Sequence, residues 1–161
     1  MAMTVNIRSA RPRDAAAVVA MAVELSRAED KPPRGFDEAD FRRDGFGLRA
    51  AFSCLVAEAE GAPVGYALFH KAYDAESGQR GSFLHDLYLR PGHRGRGLGR
   101  ALLAEVCRLT EKSGGRFVWW CMVDGNRRAD GFYRHLAQPL DDLKIWIAEG
   151  ERFAELSQAG R

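Results

Sequence analysis

A strand pattern, a glycine- and arginine-rich loop and an amphipathic stretch follow one another between Phe83 and Leu109, and this succession constrains the chain more than any other feature. Phe83, His85, Leu87 and Leu89 alternate with Leu84, Asp86 and Tyr88, the period of a β-strand with a polar residue on each face. Pro91-Gly92 turns the chain into Arg94-Gly95-Arg96-Gly97-Leu98-Gly99. Beyond it Ala101, Leu102, Val106 and Leu109 recur at helical spacing up to a stop at Gly114-Gly115. A helix that starts behind glycines exposes unpaired backbone N–H groups and the positive end of its dipole, which together favour a phosphate. The glycines let backbone approach an anion closely, and Arg94 and Arg96 add charge suited to it. The chain has neither the P-loop spacing nor a GxGxxG run after an amino-terminal strand, so ATP and NAD lose ground.

The remaining periodicities alternate strands with helices. Val5 to Arg8 reads as a strand, Pro12 and Asp14 open a helix over Ala15 to Arg27, and Asp37 caps a short second helix through Arg43. Ser53 to Ala59 and Val64 to Ala72 form a hairpin across Glu60-Gly61-Ala62-Pro63. Arg116 to Val123 reads as a buried strand, Asn126 to Leu136 as a helix, Leu143 to Ala148 as a strand and Glu151 to Leu156 as a terminal helix. A length of 161 residues suits one domain, residues 1–161.

Composition removes several classes of function. A formal charge of +2 with no dense basic run outside the loop argues against nucleic acid. The apolar runs fall short of the roughly 20 residues of a membrane span. Met1 to Ala10 lacks the pattern of a secretory signal, so a soluble, cytoplasmic protein is expected. Cys54, Cys107 and Cys121 have no CxxC spacing and apolar neighbours, which predicts buried free thiols. His70 and His93 have no partner at metal-ligand spacing, and no metal is expected.

The pattern Arg94-x-x-Gly97-x-Gly99 resembles the pyrophosphate loop of the GNAT-type N-acetyltransferase superfamily. Asn126 and the pair Phe132-Tyr133 extend the likeness. Within the superfamily the chain is most similar to the spermidine/spermine (diamine) N-acetyltransferases, through Asp44-Gly45-Phe46-Gly47, Cys54 to Glu58, Tyr73-Asp74 and Phe132-Tyr133-Arg134. Two departures stand out: His85 replaces a family Glu, and Leu136-Ala137 replaces the Gly after the aromatic pair.

The resemblance implies an α/β (α+β) fold, a mixed, mostly antiparallel sheet flanked by helices. Acetyl-CoA, the cosubstrate, would enter a splay between the strand ending at Leu89 and the strand Arg116 to Val123. It assigns the cofactor to the backbone of Leu87, Tyr88 and Leu89, to Arg94, Gly95, Arg96, Gly97, Leu98 and Gly99, and to Asn126. A backbone N–H near Leu87 would hold the oxyanion. Tyr133 is the expected acid, since a phenol of pKa about 10 can protonate a departing thiolate. His85 is the expected base or acceptor-binding group, because an imidazole titrating near 6.5 can take an amine's proton. Asp74, Glu76 and Asp86 are expected to bind a cationic acceptor. In a regular strand Asp86 faces away from His85, and a bulge would undo that. The expected partner is a small-molecule amine, a polyamine or diamine, with peptide or protein amines and a non-catalytic acyl-CoA-binding module as alternatives. A homodimer is implied by resemblance only.

Overall fold

Strands β2 (Ser53–Ala59) and β3 (Ala62–Asp74) carry the long apolar runs expected where both faces of a sheet are covered, whereas β1 (Val5–Ser9) and β4 (Gln79–Leu89) mix apolar with polar residues. In the computed structural model, which describes residues 5–159, they pair in chain order as antiparallel neighbours. Strand β5 (Phe117–Trp120) joins β4 in parallel, and the five-stranded sheet is mixed. The β2–β3 turn is tight, with Glu60 at φ 51° and Gly61 at φ 80°, the two positive values that a type I′ hairpin turn requires.

One face of the sheet is covered by α1 (Ala15–Ala28) and α2 (Glu38–Asp44). Ala15, Val18, Met21 and Phe41 pack there with Cys54, Val56, Tyr66, Leu68 and Tyr88. Helix α3 (Leu98–Lys112) covers the other face, burying Leu102, Leu103 and Val106, and its Thr110 hydroxyl hydrogen-bonds Ser82 of β4 at 2.8 Å. Arg8 ties β1 to the start of α1 and to β2: its guanidinium donates to both oxygens of Asp14, at 2.7 and 3.0 Å, and to Glu58 at 2.6 Å.

The chain divides into two compact units at Asp124/Gly125. The second contains α4 (Arg127–Tyr133), capped by the Asn126 side chain accepting from the Ala129 N–H at 3.1 Å, and α5 (Gly150–Gln158). No helix among the described residues is long and apolar enough to cross a membrane.

Four sequence expectations are corrected. Leu143 to Ala148 forms no strand; Ile145, Trp146 and Ile147 are exposed, and an apolar run without a paired neighbour has nothing to complete a ladder. Strand β5 stops at Trp120 rather than Val123, and α4 ends at Tyr133. Cys54 is buried, but Cys107 and Cys121 are exposed, because apolar neighbours in sequence do not decide which side of an element a residue takes.

Candidate functional site

The glycine loop ends in Gly97, the N-cap of α3, at φ 78°, and Gly95 is also left-handed at φ 73°. No side chain caps the helix, so its first N–H groups depend on other partners. No heavy atom lies within 4 Å of where a Cβ would stand at Gly95 or Gly97, so the glycines serve the backbone conformation and border open space. Leu98 is buried, which leaves its backbone N–H as its contribution to a ligand. Arg94 is anchored below the loop: its Nε donates to the Leu89 carbonyl at 2.7 Å and its guanidinium lies 5.4 Å from the centre of the Tyr88 ring. Tyr88 packs into the core and donates to Glu24 at 3.1 Å, and Arg90 pairs with the same carboxylate at 3.2 Å.

Strands β4 and β5 pair only from Gly81↔Phe117 to Leu84↔Trp120, whereas β4 continues to Leu89. The two strands therefore part beyond Leu84, which is the expected splay. The Arg90 N–H donates to the Val64 carbonyl at 2.9 Å, so by alternation Leu87 and Leu89 turn their backbone groups away from β3, toward the side where β5 has ended.

The β3–β4 register slips at His85: Leu68 lies opposite Asp86 and Phe69 opposite Leu84, leaving His85 without a partner. Tyr66, Leu68 and His70 share one face of β3. The Tyr66 hydroxyl donates to Asp86 Oδ2 at 2.7 Å, and the His70 ring lies 5.7 Å from His85 and 5.5 Å from Phe83. The bulge thus brings His85 and Asp86 to the same face, that of α1, which corrects the expectation for a regular strand. His85 is exposed and Asp86 half-buried. Burial pushes the Asp86 carboxyl above the usual range, against the Tyr66 hydrogen bond and the nearby His85 and Lys31, with Glu29 adding to the rise. Among the described residues no Lys or Arg forms an ion pair with Asp86, and its Oδ1 receives no hydrogen bond.

Asp74 and Glu76 lie elsewhere. The Asp74 carboxylate closes the β3–β4 turn, accepting from the Glu76 N–H at 3.1 Å and from the Ser77 hydroxyl, which holds it below the usual carboxylate range. Asp74 is six residues along β3 from Leu68, the partner of Asp86, which at the strand rise is roughly 20 Å. One small acceptor cannot touch both ends. In the second unit Tyr133 is half-buried with its ring 5.1 Å from Phe132. Tyr66 was not among the residues singled out from sequence; a lone tyrosine in an apolar run is the only signal it gives.

Residues 19–137 match the acetyltransferase (GNAT) family, and the chain belongs to it. It is an acetyl-CoA-dependent N-acetyltransferase, and the uncapped α3 terminus and the splay beside Leu87 and Leu89 fit such a cosubstrate. The chain is 34% identical to a thialysine N-epsilon-acetyltransferase of Mus musculus, over 97% of this chain and 98% of that protein. It is 26% identical to the spermidine/spermine N(1)-acetyltransferase-like protein 1 of Homo sapiens, over 80% of this chain and 19% of that one. The fold matches the aminoglycoside N-acetyltransferase AAC(6')-Iy in complex with CoA, with a TM-score of 0.74 at 19% identity, covering 92% of this chain and 97% of that one.

Proposed function

We propose that the enzyme acetylates a primary amine of a small molecule, and that the amine binds as an ammonium beside Asp86 and His85. The observation that carries this reading is Asp86 itself, a half-buried carboxylate with one oxygen accepting from Tyr66 and, among the described residues, no donor to the other oxygen and no Lys or Arg paired with it. A carboxylate in such surroundings favours a cation that arrives from solution. The acceptor is a short diamine or an amino acid with a side-chain amine, of the thialysine kind, in preference to a long polyamine. One fact supports that choice: the thialysine relative matches over 97% of this chain and 98% of its own length, whereas the spermidine/spermine-like relative is matched over 19% of its length.

Acetyl-CoA supplies the thioester carbonyl. Asp86 orients the ammonium, and His85 receives, directly or through water, the proton that the amine must lose before it attacks. The Leu87 N–H, directed into the splay, donates to the oxygen on which negative charge develops. Tyr133, assigned by its place in the family's aromatic pair, protonates the departing sulfur, and Asn126 belongs to the cofactor's surroundings on the same ground. The family match runs across the division at Asp124, which supports one catalytic domain. A homodimer is supported by the uncovered run Leu143, Ile145, Trp146 and Ile147, and a cytoplasmic site by three free cysteines.

The test is CoA thiol release from acetyl-CoA with thialysine, a short diamine, spermidine and a peptide amine. Release should be fastest with the first two. Binding of acetyl-CoA without release for any amine contradicts the reading and favours a binding module.

A further inference from the structure

We infer that Tyr66 is a positioning residue for the acceptor: its phenol holds one oxygen of Asp86 so that the other is presented to the incoming ammonium. The inference rests on the acceptor role of Asp86 given above.

Tyr66 is fully buried among Cys54, Leu68 and Tyr88. A buried phenol needs an acceptor, and this one has it in Asp86 Oδ2 at 2.7 Å. An aspartate at a bulge has no regular ladder to fix its direction, and a single short bond from a rigid ring on the neighbouring strand does so. The bond engages Oδ2 alone, and Oδ1 remains available. It also supports the ionised carboxylate, which burial opposes. The other charged or titratable groups acting on Asp86 are His85 of its own strand, and Glu29 and Lys31, which follow α1. Cys54 of β2 also faces it, a thiol that burial keeps protonated. His85 and Lys31 favour the charged form and Glu29 opposes it. Among the described residues only the Tyr66 side chain hydrogen-bonds to its carboxylate.

The residue acts through Asp86, so its removal has a signature that a packing defect lacks. Tyr66→Phe keeps the ring and deletes the bond. It should raise the KM for the amine about tenfold and move the acidic limb of the kcat/KM profile up by about one pH unit, the usual weight of a hydrogen bond to a charged group. The KM for acetyl-CoA should stay as in the parent. In an Asp86→Asn background, which keeps an acceptor for the phenol but has no charge to support, adding Tyr66→Phe should change the amine KM less than twofold. The inference is overturned if Tyr66→Phe leaves both the amine KM and the acidic limb unchanged while Asp86→Asn impairs the enzyme. It is also overturned if the two substitutions act additively, because Tyr66 then works by packing. Failure of the acceptor assignment looks different: Asp86→Asn would itself leave amine kinetics untouched.

Discussion

Replacing Gly97 separates the folding role of the loop from its binding role. At φ 78° an ordinary L-residue costs about 1–2 kcal/mol, or about 2–8 °C in Tm for a chain of this length. Nothing lies within 4 Å of the new Cβ, so no clash adds to that strain. Asn tolerates the left-handed region, and Gly97→Asn should cost less. In Gly97→Glu the carboxylate sits at the positive end of α3, which offsets part of the strain by roughly 0.5 kcal/mol. The same carboxylate repels a diphosphate held by the helix terminus. At about 5 Å and an effective dielectric constant of about 20, one pair of like charges is worth roughly 3 kcal/mol, or more than 100-fold in Kd. Calorimetric titration of acetyl-CoA into parent, Gly97→Asn and Gly97→Glu, each shown folded by thermal melting, measures both effects. The predicted order of affinity is parent, then Asn, then Glu far below, with the Glu defect shrinking as salt is raised. A folded Gly97→Glu protein that binds as tightly as the parent refutes the loop assignment.

Three further outcomes are expected. Tyr133→Phe should lower kcat about 100-fold with acetyl-CoA affinity intact, checked by turnover and titration on the same samples. Asp14, held below its ordinary carboxyl pKa of 3.8 by the Arg8 hydrogen bonds, stabilises the fold above that value and loses its contribution as pH falls. Asp14→Asn should therefore cost about 2–3 kcal/mol in urea unfolding at pH 7 and little in acid, with Glu58 still paired to Arg8 limiting the loss. Asp86 has the opposite sign: its raised folded pKa means the native state binds the extra proton, so stability falls as pH rises from the ordinary carboxyl range through the raised value. Asp86→Asn should melt at or above the parent at neutral pH and level with it near pH 4, by differential scanning calorimetry.

The sheet hairpins and the strand, glycine loop and helix were legible because each follows a local period: two for Phe83 to Leu89, and near 3.6 for Leu102, Val106 and Leu109. The splay beyond Leu84 also came through, though only by family likeness, since pairing between β4 and β5 is a long-range property. The bulge at His85 was not legible. It adds one residue to a strand without changing its composition, yet it moves Asp86 from the α3 side to the α1 side and into contact with Tyr66. The turn that Asp74 closes with Ser77 was not legible either, because a carboxylate in a Tyr-Asp pair reads the same in sequence whether or not it bonds within its own turn. Leu143 to Ala148 shows the limit of β-propensity, which marks residues able to join a ladder and not those that find one.

The proposed chemistry requires an ammonium held at the β4 bulge, on the face of the sheet that α1 covers. The most direct measurement is the pair of Michaelis constants, for the best amine and for acetyl-CoA, in the parent and in Asp86→Asn. The neutral amide fills the same space and keeps an acceptor for Tyr66, so the change removes charge and little else. The amine KM should rise about tenfold or more with the acetyl-CoA KM unchanged, as expected for loss of a hydrogen-bonded charge at one substrate alone. Equal amine constants in the two proteins would contradict the proposed chemistry.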